Sequence, residues 1–134
     1  MEMKILVTPT SLQPGRKSKA LERLRDFSEE LVFNDKSRPL TEEELIPLLK
    51  GCQGYLAGLD FITERVLREA EDLKVISRYG TGYDRIDRAS ASQYGVTVTN
   101  TPGVNAQAVG ELAFGLLLSV ARQISYLDRT TRSG

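Results

Sequence analysis

The sequence predicts an α/β fold in which five parallel strands form a doubly wound sheet, followed by a long apolar helix. Three observations indicate this architecture. Short runs rich in β-branched residues alternate with segments of helical periodicity, as in parallel sheets with crossover helices. Five such runs lie within residues 4–99. Residues 106–124 then carry apolar side chains on every side of a helix instead of on one face.

The first three elements follow from local patterns. Residues 4–8 (KILVT) are an apolar run that predicts the first strand, and the segment 9–15, with two prolines and a glycine, predicts the loop at its carboxyl end. Residues 17–27 place apolar side chains at helical spacing with charges between them, which predicts an amphipathic helix. Residues 30–33 (ELVF) predict the second strand, before a polar turn region at 34–39.

The next helix is predicted by a capping box, Thr41 with Glu44 three residues later, and is expected to end near Gly51. Pro47 removes one backbone hydrogen bond, so a kink or a short first segment is expected there. The remaining elements are a third strand at 54–58, a helix capped by Thr63, a fourth strand at 74–77, a short helix from Asp87 to Gly95, and a fifth strand at 96–99. Five strands separated by four helices indicate a flavodoxin-like sheet.

Composition excludes several classes of function. Eighteen Lys and Arg residues balance eighteen Asp and Glu residues without a basic cluster, so no nucleic-acid partner is expected. No apolar stretch approaches the ~20 residues of a spanning helix, so no membrane partner is expected. Cys52 is the only cysteine, which excludes a cysteine-rich zinc site and suits the reducing cytoplasm. The chain contains no histidine, so it cannot supply an imidazole as a proton carrier.

The helix predicted at 106–124 needs burial on most of its sides. One five-stranded domain can cover only one side, so a second domain or a partner subunit is expected to cover the rest. A homodimer through this helix is the simplest such arrangement. The alternative is a central helix beneath the sheet.

Two loops at the carboxyl edge of the sheet are candidate binding segments. In residues 78–84 (RYGTGYD), two glycines around a threonine let the backbone approach a ligand and direct N–H groups at an anion such as a carboxylate, although a plain glycine-rich turn has the same pattern. Residues 100–105 (NTPGVN) leave the fifth strand, and Asn105 is placed as the N-cap of the long helix. Neighbouring strands end side by side, so the two loops should form two walls of one crevice.

Three linked motifs resemble one family in order and spacing: VISRYGTGYDRID, ASQYGVTVTNTPGVN, and Glu111 followed by LAFGLLLSVAR. They resemble the N-terminal part of the D-2-hydroxyacid dehydrogenases, particularly the phosphoglycerate dehydrogenases, and the resemblance is strongest from Leu73 to Arg122. It implies an oxidoreductase that transfers a hydride between NAD and a small 2-hydroxy or 2-keto acid.

The resemblance also implies roles for particular residues. The backbone around Gly80, Thr81 and Gly82 would bind the substrate carboxylate, Thr81 would also approach the nicotinamide cofactor, and Asn105 would line the cleft near the hinge. The catalytic arginine, glutamate and histidine would lie in or beside a Rossmann domain later in the chain. This sequence contains no G-x-G-x-x-G fingerprint. The 134-residue chain is therefore expected to be inactive alone.

On this interpretation residues 1–104 are a substrate-binding domain, and residues 105–134 are a crossover and interface helix leading to an NAD-binding domain that is absent from the chain. Gly58-Leu59-Asp60 stands where phosphoglycerate enzymes often carry an arginine for the substrate phosphate, which argues against 3-phosphoglycerate. Arg85 replaces a common asparagine. The choice between NAD and NADP stays open.

Two other classes of protein share the predicted fold. A phospho-receiver would use Asp60 as its acceptor, but the acidic pair that it needs after the first strand and the lysine that it needs after the fifth are both missing. A stand-alone flavodoxin-like binding or dimerisation module without catalysis is the alternative that remains.

Overall fold

The computed structural model describes residues 3–134 and divides them into two compact units. The first unit ends at Pro102, and the second is Gly103–Gly134. The predicted start of the first domain, at residues 1–2, lies outside the described residues.

The first unit is built on one parallel sheet. Its strands are β1 (Lys4–Val7), β2 (Glu30–Phe33), β3 (Gly54–Ala57), β4 (Val75–Arg78) and β5 (Thr97–Thr99). They pair in the order β2-β1-β3-β4-β5, and all four pairings are parallel. This order confirms the predicted flavodoxin-like sheet. The order in which strands are added reverses between β1 and β3, where ligand crevices form in open α/β folds.

Four helices connect the strands: α1 (Lys19–Phe27), α2 (Glu42–Leu49), α3 (Glu64–Glu69) and α4 (Arg88–Gln93). The predicted caps of α3 and α4 are confirmed, because Thr63 Oγ1 accepts from the Val66 N–H at 3.5 Å and Asp87 Oδ1 accepts from the Ser90 N–H at 3.0 Å. In α2, eight residues run without interruption through Pro47, so the short first segment expected there does not form.

Both faces of the sheet are packed, because successive side chains of a strand point to opposite sides. Leu6 belongs to the larger core, together with Leu45 of α2 and Leu67 of α3. Ile5 and Val7 belong to the smaller core with Leu21 of α1. Burial of each such side chain contributes roughly 1.5–3 kcal/mol. This packing fixes where each strand ends, and therefore where the loops of the candidate site begin.

The second unit contains two helices where one was predicted. Helix α5 (Ala106–Ala121) ends before the predicted limit at Ile124, and α6 (Ile124–Ser133) follows with a bend of 59°. Gln123, with φ 53°, makes the break because a left-handed residue cannot continue a right-handed helix. No residue of either helix is buried. In the described part of the chain, no single helix is long and apolar enough to cross a membrane; α5 and α6 meet that test only as a bent pair.

Candidate functional site

A cleft of about 400 Å³ opens at the carboxyl edge of the sheet. It lies between the loops that follow β1, β2, β3 and β4, and its lining consists of Thr8, Pro9, Thr10, Ser11, Ser37, Arg38, Pro39, Gly58, Leu59, Arg78 and Tyr79. Hydroxyl groups and two guanidinium groups supply its polar surface, and no acidic side chain lines it. The cleft is therefore suited to an anionic ligand.

The glycine turn after β4 adjoins this cleft and is tied to the loop after β5. Gly80 has φ 137°, a conformation that favours glycine, and its carbonyl accepts from the Thr101 N–H at 3.1 Å. The Asn100 Nδ2 donates to the Thr81 carbonyl at 2.7 Å, and Thr81 Oγ1 donates to the Thr101 carbonyl at 3.2 Å. These three bonds confirm that the turn and residues 100–101 lie side by side.

The N–H groups of the turn are not equivalent. The Gly80 N–H donates to the Arg78 carbonyl at 2.9 Å, so it is used within the turn itself. In the described residues, the Gly82 N–H has no protein acceptor. Gly82 also lacks the positive φ of Gly80. A carboxylate bound at this turn would therefore accept from the Gly82 N–H.

Asn105 belongs to the second unit and occupies the N-cap position of α5, as predicted. Its side chain makes no capping hydrogen bond, because its backbone, with φ −113° and ψ 7°, does not have the extended conformation usual at an N-cap. Its substrate contact, like the cofactor contact of Thr81, stays a prediction.

Arg38, on the loop after β2, is the first of two cleft residues to which the sequence interpretation gave no role of their own. Its guanidinium binds both carboxylate oxygens of Glu44 at 2.8 Å. This hydrogen bonding raises the pKa of Arg38 and, with the Thr41 N–H, lowers the pKa of Glu44 to about 2. The fully buried Asn34 holds the same loop, donating to the Arg38 carbonyl at 2.7 Å. The guanidinium therefore keeps a fixed place at the cleft wall.

Arg78, the last residue of β4, is the second cleft residue without a role in the sequence interpretation. Its guanidinium donates to the Tyr79 carbonyl, and no carboxylate in the described part of the chain pairs with it. It lies against Gly80, where a Cβ would stand 2.9 Å from Nη1. A cation without an anionic partner beside the glycine turn is the group best placed to attract a ligand. Its position just before the turn was the sequence signal that could have identified it.

Asp60 follows β3 but does not line the cleft. Its side chain is buried, and its Oδ2 accepts from the hydroxyls of Thr8 and Tyr55, the latter at 2.7 Å. Its Oδ1 accepts from the Leu40 N–H at 2.7 Å. Burial, and then the nearby Asp60 charge, raises the pKa of Tyr55 well above its ordinary value. The carboxylate faces the interior, and the cleft is cationic.

Gly58 explains why no side chain projects from the end of β3. A Cβ at this position would stand 3.2 Å from Pro9 Cα and 3.2 Å from the carbonyl carbon of Thr8. These are backbone atoms, so any larger residue requires the loop after β1 to shift. A side chain at Gly58 would therefore require that loop to move by a few tenths of an ångström. The positive charge of the cleft comes instead from Arg38 and Arg78.

Arg85, where the family commonly has asparagine, joins the loops after β3 and β4. Its Nη1 donates to the Leu59 carbonyl at 2.8 Å, and its guanidinium lies 4.6 Å from the Phe61 ring centroid. Arg85 therefore connects these two loops at a position outside the cleft. Among the described residues, no group of His, Cys, Asp and Glu could hold a metal ion.

Most of the chain matches one known family. Residues 6–131 match the profile of the D-isomer specific 2-hydroxyacid dehydrogenases, catalytic domain. A glyoxylate reductase of Thermofilum pendens is 37% identical over 132 residues, covering 98% of this chain and 38% of that protein.

Solved structures of other proteins are similar to this chain in fold. The TT0316 protein of Thermus thermophilus has a TM-score of 0.83 and 36% identity, covering 98% of this chain and 41% of that one. The NAD⁺-bound 3-phosphoglycerate dehydrogenase of Entamoeba histolytica has a TM-score of 0.70 and 31% identity, covering 89% of this chain and 39% of that one. The chain thus spans 38–41% of the length of these three proteins.

Proposed function

This chain belongs to the D-isomer specific 2-hydroxyacid dehydrogenase family, and from that premise we propose that it is the substrate-binding part of an NAD-dependent D-2-hydroxyacid dehydrogenase. Residues 1–104 form the substrate-binding domain, and residues 105–134 form a crossover and interface segment. The reaction is hydride transfer between NAD and C2 of a small 2-hydroxy or 2-keto acid. The arginine, glutamate and histidine that act on that carbon belong to a nucleotide-binding half outside these 134 residues.

The observation that carries the proposal is the glycine turn, tied to Thr101 and placed beside a cationic cleft. In this arrangement the substrate carboxylate accepts from the Gly82 N–H, and the charge of Arg78 attracts it. Holding the carboxylate on a rigid turn fixes the position of C2 relative to the catalytic groups, which is how positioning accelerates a reaction. A substrate contact by Asn105 remains part of the proposal on the ground of the family resemblance alone.

The cleft favours substrates with a second anionic group. Among the described residues, Arg78 has no carboxylate partner, whereas Arg38 is already paired with Glu44. The Arg78 guanidinium, with the hydroxyls of Thr10, Ser11 and Ser37 in the same lining, matches a phosphate or a second carboxylate better than an uncharged substituent. We therefore propose 3-phosphoglycerate and similar acids with a second anionic group as substrates, although Gly58 supplies no charge. Glyoxylate, which has no distal group, would leave this part of the cleft empty.

NAD is the proposed cofactor, and when bound it would accept the hydride that leaves C2 of the 2-hydroxy acid. Thr81 is exposed at the carboxyl edge of the sheet, so its hydroxyl can reach a nicotinamide amide while still donating to Thr101. The sequence has no G-x-G-x-x-G, so most of the dinucleotide would contact another part of the protein. We also propose a homodimer through α5, because its apolar side chains are exposed.

The test compares this chain with the longer protein that would contain it. We expect the longer protein to reduce NAD with a D-2-hydroxy acid, and the 134-residue chain alone to give no steady turnover. The Arg78→Gln variant of the longer protein should raise KM for 3-phosphoglycerate about tenfold or more, as expected for the loss of a charged hydrogen bond.

Arg88→Gln is the matched control, since Arg88 stacks on the Tyr83 ring and does not line the cleft. NADH production by the 134-residue chain, or an Arg78→Gln enzyme with an unchanged KM, would contradict the proposal. A flavodoxin-like module without catalysis would show no NAD-linked turnover in either protein.

A further inference from the structure

A set of buried polar side chains lies directly beneath the cleft. Asp60 and Thr8 are each 2% exposed, and Tyr55 is 1% exposed. Charged and polar groups are rarely buried to this extent unless every one is hydrogen-bonded. In this cluster, the Asp60 carboxylate accepts three hydrogen bonds from Thr8, Tyr55 and Leu40.

The three bonds come from three different parts of the sheet edge. Thr8 follows β1, the Leu40 N–H belongs to the loop after β2, and Tyr55 lies in β3, whose following loop contains Asp60 itself. Thr8 Oγ1 also accepts from the Gly58 N–H at 2.9 Å. One carboxylate therefore joins three of the four segments that line the cleft.

Residues 8–11, 37–39 and 58–59 lie outside the helices and strands, so their positions depend on individual hydrogen bonds. Asn34 supplies one of these bonds, to the Arg38 carbonyl, and Asp60 is the carboxylate that joins all three segments. A carboxylate is a stronger acceptor than a neutral group, and both hydroxyls donate to the same oxygen, Oδ2. An amide in its place would accept from the Leu40 N–H only as a weaker, neutral acceptor, and its NH₂ group could not accept from the hydroxyls. The network would then have to rearrange.

We propose that Asp60 is a positioning residue for substrate specificity: it sets the spacing between the loop of Arg38 and the loops after β1 and β3, and thereby tunes the cleft to the distal anionic group. This inference rests on the proposed function. Asp60 touches no substrate; it acts through the loops that it joins. Its loss should therefore affect substrates that fill the cleft and spare those that do not.

The experiment uses Asp60→Asn in two settings. In the longer enzyme, we expect KM for 3-phosphoglycerate to rise about tenfold and KM for glyoxylate to stay unchanged, because only the former carries a distal anion. In the 134-residue chain, amide hydrogen exchange should become faster at Leu40 and Gly58 and remain unchanged at Ile76 in the sheet core.

Leu67→Ala is the control for lost stability, since Leu67 is buried in the larger core and does not line the cleft. It should lower the free energy of unfolding without changing the ratio of the two KM values. If Asp60→Asn does not fold, Tyr55→Phe removes one donor and keeps the carboxylate, and it should change the KM ratio in the same direction by a smaller factor.

Equal increases in both KM values, or unchanged exchange at Leu40 and Gly58, would overturn the inference while leaving the proposed function intact. A wild-type longer protein without turnover on any 2-hydroxy or 2-keto acid would instead overturn the proposed function and this specificity role together. The two failures are therefore distinguishable.

Discussion

Gly80 shows how one residue can hold a binding turn in place. Its φ of 137° lies where side chains are strained, and a Cβ there would also meet the Arg78 guanidinium at 2.9 Å. Gly82, two residues later, has no positive φ, and its added Cβ would meet only the Asp84 carboxylate oxygen, at 3.1 Å. The two glycines of the motif therefore have different roles. Gly80 adopts the backbone conformation that the turn requires, and the Gly82 N–H is available to a ligand.

Gly80→Ala should accordingly destabilise the folded chain more than Gly82→Ala does. We expect Gly80→Ala to lower the free energy of unfolding by about 1–3 kcal/mol, the usual cost of a strained backbone conformation. Gly82→Ala should lower it by less, since a flexible side chain can move aside. Urea unfolding of the 134-residue chain measures both. Equal losses for the two variants would show that the backbone of the turn adapts.

Helix α2 shows how an element sets the position of a cleft residue. Glu44 lies in its first turn, where its Oε2 accepts from the Thr41 N–H at 3.0 Å and completes its half of the predicted capping box. The same carboxylate binds Arg38. The start of the helix is thus joined to the cleft wall, and the local capping pattern has a second role that the sequence did not indicate.

The Glu44 carboxyl also makes the stability of this region depend on pH. Its pKa is lowered from 4.5 to about 2 by hydrogen bonds from Arg38 and Thr41. A lowered folded-state pKa means that its stabilisation is fully present above 4.5 and is lost as the pH falls through about 2. We expect Glu44→Gln to be less stable at neutral pH and to lose less stability than the wild type on acidification.

Urea midpoints measured between about pH 6 and pH 2 test this prediction. The matched control is Glu64→Gln, because Glu64 lies in the first turn of α3 and has no basic partner in the described part of the chain. Parallel pH curves for Glu44→Gln and the wild type would show that the Arg38 pair contributes nothing in solution, as is common for exposed ion pairs.

At the scale of the molecule, the feature that needs explanation is the apolar surface of α5. Leu116, Leu117 and Val120 are 58%, 60% and 79% exposed. Each would gain roughly 1.5–3 kcal/mol from full burial, so leaving them in water is unfavourable. A symmetric pair of chains could bury this surface at once, because both copies present the same patch.

We therefore expect the 134-residue chain to sediment as a dimer at micromolar concentration, and the double variant Leu116→Glu with Val120→Glu to sediment as a monomer. Phe27→Glu is the control, because Phe27 is 67% exposed on α1 in the first unit and should leave the dimer unchanged. A monomeric wild type with slow amide exchange along the whole of α5 would mean that one chain buries the helix itself.

The sequence by itself determined the order of the elements, the parallel sheet and the place of the glycine turn. Each of these follows from patterns a few residues long: alternating runs, caps at Thr63 and Asp87, and a turn at the end of a buried strand. The adjacency of residues 80–82 and 100–101 could also be predicted, since the ends of parallel strands share an edge.

Only the tertiary structure decided the charge of the cleft. Arg38 and Arg78 line it together although 40 positions separate them, and Asp60, which looked like a cleft residue, turns inward to the Thr8 and Tyr55 hydroxyls. The break at Gln123 was likewise invisible in a continuous apolar pattern. Periodicity reports which face of an element is apolar, whereas the direction of a loop side chain depends on partners that folding brings close from distant parts of the chain.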